Sequence, residues 1–129
     1  MRGLLVTATD TGVGKTVLAA AIVAALRARG ERVAAVKPVV TGLDEPDPVQ
    51  PLDHELLATA AGIEPGAVSA HTFGPPLSPH LAAELAGAPL DPATLVAAAR
   101  DAAARADVLI AEGVGGLLVP LTPGYLIRD

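Results

Sequence analysis

A short apolar run, a glycine-containing turn and a long Ala/Leu/Val segment follow one another near the start of the chain, and their order restricts the possible folds more than any other feature. The turn, residues 8–16, reads A-T-D-T-G-V-G-K-T. In such a turn, glycines let backbone N–H groups converge on phosphate oxygens, and the start of a helix adds a positive dipole. Lys15 would then reach the terminal phosphates, and the Thr16 hydroxyl would ligate Mg²⁺. The sequence therefore predicts a phosphate-binding loop between a strand and a helix.

The predicted loop is a variant, because the usual pattern has a glycine five positions before Gly14, where this chain has Thr9. The alternative interpretation is a glycine-capped turn with an incidental lysine at Lys15. The position between a buried strand and a helix favours phosphate binding, since this motif is informative only in that context. Nucleotide binding is the leading hypothesis from the residues alone.

Apolar runs and helix signals alternate along the rest of the chain. Continuous apolar strands that alternate with helices indicate a parallel sheet with helices on both faces, so the predicted fold class is α/β and P-loop NTPase-like. The predicted strands are Gly3 to Ala8, Arg32 to Val36 and Asp107 to Ala111. The predicted helices are Thr16 to Arg29, Asp53 to Ala61, Pro79 to about Leu85 and Asp91 to Ala106. Leu43 to Pro51 is expected to be a surface loop, and Glu64 to Pro79 a long irregular connection.

Composition excludes several classes of function. The 129 residues suit one domain with a single core, and a net charge of −5 without a basic run argues against nucleic acid or an anionic membrane as the main partner. The absence of cysteine excludes disulfides, thiolate catalysis and thiolate metal sites. The longest apolar helix candidate is too short to span a bilayer, and no secretory signal is visible. A soluble cytoplasmic protein is expected.

Each predicted strand ends in a polar candidate for function. The phosphate-binding loop follows the first strand, Lys37 follows the second and Glu112 follows the third. In doubly wound sheets, ligands bind beyond the carboxyl ends of the strands. We therefore expect these groups to converge on one crevice.

Several of these candidates have an alternative interpretation. Lys37 would hold an anionic substrate or phosphate, or would merely cap an exposed strand end. Glu112 would act on Mg²⁺, or would be a solvated strand-end glutamate; the glycines after it favour function, because they allow close backbone approach. Asp53 would be a further carboxylate for Mg²⁺ or the N-cap of its helix, and the residues alone favour the cap. Asp10 and Thr11 lie inside the loop and are hard to explain as scaffold.

Four motifs, taken together, resemble the dethiobiotin synthetase family. They are T-D-T-G-V-G-K-T at residues 9–16, K-P-V-V-T-G at 37–42, T-F-G-P-P-L-S-P-H at 72–80 and E-G-V-G-G at 112–116. The resemblance implies a cyclo-ligase that uses Mg-ATP, CO₂ or bicarbonate, and 7,8-diaminopelargonic acid. One amine of the substrate would capture CO₂ as a carbamate, whose oxygen would attack the γ-phosphate. The second amine would then close the ureido ring and expel phosphate.

The resemblance also implies roles for individual residues. Its catalytic residues would be Lys15, Lys37 and Thr11, and its substrate contacts would be Thr11, Lys37 and Thr41. Its metal ligands would be Thr16, Asp53 and Glu112, which reverses the interpretation of Asp53 as a cap. Its nucleotide-binding residues would be Asp10, Thr11, Gly12, Val13, Gly14, Lys15, Thr16, Val17, Glu112, Gly113 and Gly115.

The family continues with further strands beyond the position of Asp129, so residues 1–129 are expected to be the N-terminal part of a longer domain. A sheet of three clear strands would expose an apolar edge and face. The complete protein would be a homodimer. The competing hypotheses are a nucleotide-switch ATPase of the partition or septum-positioning type, an amide-forming ligase of cobalamin synthesis, and an inactive fragment.

Overall fold

The computed structural model describes residues 2–129 and contains a central three-stranded parallel sheet in the order β1-β5-β2. The strands are β1 (Arg2–Val6), β2 (Val33–Val36), β3 (Val39–Val40), β4 (His71–Thr72), β5 (Val108–Glu112), β6 (Pro120–Thr122) and β7 (Tyr125–Leu126). The helices are α1 (Lys15–Ala28), α2 (Asp53–Ala61), α3 (Pro65–Val68), α4 (Pro79–Leu85) and α5 (Pro92–Ala103). The predicted α/β class with a parallel sheet flanked by helices is confirmed. No helix within residues 2–129 is both long and apolar enough to cross a membrane.

The two faces of the sheet pack against different helices. Ala35 and Ile110 belong to a buried cluster with Val23 of α1 and Leu57 of α2. Val36, the neighbour of Ala35 along β2, points to the opposite face and shares a cleft with residues of α5. Because side chains alternate along β5, the side chain of Glu112 lies on the same face as that of Ile110, where it contacts Thr16 of α1. This alternation places a carboxylate on the sheet face that packs against α1 and α2.

The first strand is less buried than its apolar sequence predicts. Leu4 and Leu5 are 48% and 49% exposed, and only Val6 at the end of the strand is buried. The cause is the position of β1 at the edge of the sheet, where within residues 2–129 it pairs only with β5. The expectation of a buried strand was wrong, whereas the expected apolar edge is present.

Most predicted helices agree with the structure to within a few residues. The α2 helix occupies Asp53–Ala61 and is followed by Gly62 in the left-handed conformation. The N-caps of α4 and α5 are Ser78 and Asp91, as their sequences indicate. The α5 helix ends at Ala103 rather than at Ala106.

The segment between α2 and α4 is more ordered than predicted. It contains α3 and the strand β4. The strand β4 pairs in parallel with β3, the short strand that directly follows Lys37-Pro38. A second buried cluster lies around Val39 and Phe73 and joins this small sheet to α4, α5 and β6. The pair β3–β4 thus fixes the chain after Lys37.

Candidate nucleotide and substrate site

The phosphate-binding loop has open backbone geometry at its glycines. Gly12 and Gly14 have φ angles of 73° and 100°, in the left-handed region that favours glycine, and a side chain at either position would meet no atom within 4 Å. No side chain caps the start of α1, where Gly14 is the N-cap. The first N–H groups of the helix are therefore available to an anion at this point.

Lys15 folds back over its own loop. Its Nζ donates to the carbonyl oxygen of Asp10 at 2.8 Å, and the side chain is almost fully buried. Asp10 Oδ1 in turn accepts the N–H of Thr11 at 2.7 Å. The lysine is thus positioned by residues of the loop itself, with its ammonium beside the place where phosphate oxygens would bind.

The chain ends of β2 and β5 meet in a buried ion cluster. Lys37 Nζ lies 2.8 Å from Glu112 Oε1 and 2.9 Å from Asp53 Oδ2. The side chains of Lys37 and Glu112 are 4% and 1% exposed, so neither is a solvated strand end. Thr16 Oγ1 at the start of α1 donates to the same Glu112 oxygen at 2.8 Å. The predicted convergence of the three strand ends is confirmed.

Asp53 is not the N-cap of α2, because that position is occupied by Leu52, whose N–H donates to Glu55 Oε2 at 2.9 Å. Its carboxylate instead pairs with Lys37. Burial alone would raise the pKa of Asp53, but attraction and hydrogen bonding from Lys37, with help from Thr16 and Lys15, outweigh burial and lower that pKa. Asp53 is therefore ionised and in place at neutral pH.

One oxygen of the cluster has no partner. Glu112 Oε2 is buried and makes no hydrogen bond within residues 2–129. Because a buried carboxylate oxygen is costly to leave unpaired, this atom suits a cation or a polar ligand. No group of three or more His, Cys, Asp or Glu side chains with metal-binding geometry occurs in the described part of the chain. A set of one or two carboxylates and a hydroxyl is nevertheless typical of Mg²⁺ sites that are completed by substrate phosphates.

A cavity of about 650 Å³ connects these groups. Among the predicted site residues, the cavity is lined by Thr11, Gly12, Gly14, Lys15, Thr16, Val17, Lys37, Thr41, Asp53, Glu112 and Gly115. Asp10, Val13 and Gly113 do not line it. Asp10 and Val13 belong to the exposed outer part of the loop, and Gly113 packs beside Thr7, so their roles stay predictions.

The glycines after Glu112 bring the segment that follows β5 against the phosphate-binding loop. A Cβ at Gly116 would lie 2.7 Å from the carbonyl oxygen of Thr9, which is closer than real side chains approach backbone. The N–H of Leu117 donates to the carbonyl of Ala8 at 3.0 Å. The close backbone approach that the glycines indicated is therefore present, and the segment after Glu112 packs directly against the phosphate-binding loop.

Sequence reasoning missed part of the cavity wall. Glu45 and the segment from Pro76 to Pro79 also line the cavity. Their sequence gave little signal, because Glu45 lies in an acidic, proline-rich stretch without periodicity. The motif at 72–80 contributes to the family resemblance, but its residue types do not indicate contact with the site.

Comparison with known proteins agrees with this arrangement. A family model described as an AAA domain matches residues 2–129. The chain belongs to this family. Among curated proteins, the ATP-dependent dethiobiotin synthetase of Anaeromyxobacter dehalogenans strain 2CP-1 is 49% identical over 124 residues, which are 95% of this chain and 54% of that protein.

Other dethiobiotin synthetases are similar over the same extent. The protein of Anaeromyxobacter sp. strain Fw109-5 is 44% identical and matches 100% of this chain and 57% of its own length. That of Nitrosospira multiformis is 40% identical over 93% of this chain and 53% of its own length. The resemblance that the four motifs indicated is therefore confirmed. The AAA domain described here spans about half the length of the curated relatives it matches.

Proposed function

We propose that this chain contributes the phosphoryl-transfer and carbamate-binding site of an ATP-dependent dethiobiotin synthetase, a ligase that closes a ureido ring in biotin biosynthesis. The observation that carries the proposal is the contact of Lys37 with Glu112, which places an ammonium group beside Thr16 and the phosphate-binding loop. A cation at that point suits a carbamate that must approach the terminal phosphate of ATP. The similarity to dethiobiotin synthetases supports the same assignment.

The proposed reaction balances in three steps. One amine of 7,8-diaminopelargonic acid adds to CO₂ and loses a proton, giving a carbamate. A carbamate oxygen forms a bond to the γ-phosphorus of ATP as the bond to ADP breaks, giving a mixed carbamic–phosphoric anhydride. The neighbouring amine then attacks the carbamoyl carbon, loses a proton and expels inorganic phosphate, which leaves the cyclic urea.

The residues of the chain would supply position and charge in these steps. Lys15 and the N–H groups at the start of α1 would bind the phosphates and stabilise the transferred group. Lys37 would bind the carbamate, with the hydroxyls of Thr11 and Thr41 as further contacts that line the same cavity. Phosphoryl transfer depends mainly on such positioning and electrostatic stabilisation, which this set of residues suits.

Thr16, Asp53 and Glu112 would hold Mg²⁺, which neutralises phosphate charge when it is bound. The fit rests on the unpartnered Glu112 Oε2 and on the Thr16 hydroxyl, which contacts the other oxygen of the same carboxylate. Lys37 would remain between the two carboxylates and the substrate.

The direct test is the detection of product by mass spectrometry. The chain is incubated with 7,8-diaminopelargonic acid, ¹³C-bicarbonate and Mg-ATP, and the dethiobiotin synthetase of Anaeromyxobacter dehalogenans serves as the positive control. We expect labelled dethiobiotin with the label in the ureido carbon. A folded chain that gives no product while the control does would contradict the proposed activity for these residues.

A second test addresses the metal. Glu112→Gln keeps the size of the side chain but removes its charge, so we expect the Mg²⁺ concentration for half-maximal turnover to rise by about tenfold or more, from the loss of a charged ligand. Titration of initial rates with MgCl₂ at saturating ATP measures the shift. An unchanged magnesium dependence would show that Glu112 is not a ligand.

We further propose that the complete protein is a cytoplasmic homodimer, by analogy with the family that its motifs resemble. Size-exclusion chromatography with light scattering measures the mass in solution. A mass that stays monomeric at the highest concentrations assayed would contradict this proposal.

A further inference from the structure

The motif T-F-G-P-P-L-S-P-H at residues 72–80 has no role in the phosphate-binding loop or the ion cluster. In the structure it holds the chain that follows Thr41. Three successive backbone N–H groups donate to three successive carbonyls, at distances of 2.9 to 3.3 Å: Gly42 to Pro75, Leu43 to Phe73 and Asp44 to Gly74. The beginning of the loop between β3 and α2 is therefore fixed against the motif, although its sequence indicates only a surface loop.

Two glycines make this arrangement possible. Gly42 has a φ angle of 83°, which turns the chain back on itself, and the N–H of Glu45 donates to the carbonyl of Gly42 at 3.3 Å. Gly74 has no side chain at the point that the Asp44 carboxylate occupies. The turn brings Glu45 to the wall of the cavity that the phosphate-binding loop also lines.

The Glu45 carboxylate differs from the other acids that line the cavity. Asp53 and Glu112 are both paired with Lys37. Within residues 2–129, the side chain of Glu45 makes no ion pair and no hydrogen bond. The lining near it is aliphatic, from Leu43, Pro48, Val49, Pro76 and Leu77. Glu45 is exposed at the mouth of this aliphatic lining. A carboxylate in that position suits a ligand that joins an ammonium group to a hydrocarbon chain.

We propose that Glu45 binds an ammonium group of the aliphatic diamine substrate and selects amine-bearing chains for this site. The inference rests on the proposed function, which supplies a diamine, and it deepens that function by naming a residue that recognises the amine. Glu45 holds one amine of the substrate in the cavity that Lys37 also lines, and the carbamate forms on the neighbouring amine. Its effect is on substrate binding, because within residues 2–129 it makes no hydrogen bond or ion pair with Lys15 or Lys37.

The test compares Glu45→Gln with Asp47→Asn, a matched loss of an exposed acid from the same loop that does not line the cavity. KM and kcat for 7,8-diaminopelargonic acid are measured at saturating Mg-ATP, and circular dichroism melting confirms equal folding. We expect Glu45→Gln to raise KM by about tenfold or more, the loss typical of a hydrogen bond to a charged group, with kcat unchanged. Asp47→Asn is expected to leave both constants unchanged.

Calorimetry without ATP separates this inference from the proposed function. It measures binding of 7,8-diaminopelargonic acid, with nonanoic acid as the analogue that lacks both amines. If the chain makes dethiobiotin and Glu45→Gln has the wild-type KM, the inference is overturned and the function stands. If no dethiobiotin forms, weaker binding of the diamine by Glu45→Gln, without a change for nonanoic acid, supports the inference alone. Equal affinity of the two proteins for the diamine, or no binding by the wild type, overturns it.

Discussion

The strands β2 and β5 are joined by ion pairs at both of their ends, and the two pairs differ in nearly every physical respect. At the amino ends, Arg32 Nη2 lies 2.6 Å from Asp107 Oδ1, with side chains 71% and 36% exposed. At the carboxyl ends, Lys37 and Glu112 form a pair that is almost completely buried. Exposed ion pairs contribute little to folding stability. Buried ion pairs carry a large desolvation cost, so their presence is weak evidence for stability and can instead serve function or specificity. The pair Arg32–Asp107 thus joins the two strands at the surface, whereas the pair Lys37–Glu112 lies in the candidate site.

The largest effect should come from removal of the buried cation. Lys37→Ala leaves Glu112 buried and Asp53 without its partner, so we expect the free energy of unfolding to fall by about 3–5 kcal/mol. Ring closure should also be lost, because nothing replaces the ammonium that would bind the carbamate. Urea denaturation and the product assay measure the two effects. A variant with wild-type turnover would remove Lys37 from the proposed mechanism.

Lys15→Ala tests the same contrast, because this lysine is also buried, but within residues 2–129 its side chain forms one hydrogen bond, to its own loop, and no ion pair. We expect complete loss of turnover with a loss of stability of no more than about 1.5 kcal/mol, since one hydrogen bond to a backbone carbonyl is removed. The same two assays apply. A large loss of stability would mean that the lysine supports the fold in the way that Lys37 does.

An intermediate effect is expected where the segment after β5 packs against the phosphate-binding loop, at the contact of Gly116 with Thr9. At Gly116→Ala the new methyl group would collide with the Thr9 carbonyl, so we expect a loss of about 1–3 kcal/mol and a higher KM for ATP. Gly124→Ala is the control, because a methyl group there has no atom within 4 Å. If both variants bind ATP equally well, the position of the phosphate-binding loop does not depend on Gly116.

The smallest effect is expected at the exposed pair and depends on pH. Hydrogen bonds from the Arg32 side chain and N–H lower the pKa of Asp107 from its usual 3.8 to about 2. Because the folded-state pKa is the lower one, the stabilisation is present above about pH 4 and is lost as the pH falls toward 2. Asp107→Asn should therefore be less stable than the wild type at neutral pH, with the difference shrinking in that range and turnover unchanged.

Chemical denaturation at several pH values measures this dependence, with Asp101→Asn as a control for an exposed acid of α5. A difference between wild type and Asp107→Asn that does not vary with pH would contradict the cause given for the shift.

Much of the site follows from the sequence, and the remainder depends on contacts that are distant in sequence. The phosphate-binding loop is a continuous motif, and parallel strands bring Lys37 and Glu112 to one edge of the sheet because their carboxyl ends meet there. The interpretation of Asp53 as a cap was wrong, since an acid at a helix start looks the same whether it faces the helix or a lysine. Only the resemblance to a family indicated that Asp53 belongs to the site.

Other features left no periodic signal. The strands β3 and β4 have two residues each, too few for an alternating pattern, so the order between Glu64 and Pro79 was not predicted. The apolar sequence of β1 indicated burial, but periodicity does not tell an edge strand from a central one. Glu45 was missed because its position depends on backbone hydrogen bonds to a motif about thirty residues away.

The close packing of Gly116 against Thr9 bears on whether the phosphate-binding loop could be transferred to another protein. The strand, loop and helix at residues 2–28 look like a self-contained unit that recombination or engineering could move to another sheet. The loop is nevertheless shaped partly by a glycine from the far half of the chain and by the Leu117 hydrogen bond beside it. Transplanting the unit alone would carry the residues proposed to bind phosphate but leave behind the backbone that packs against them.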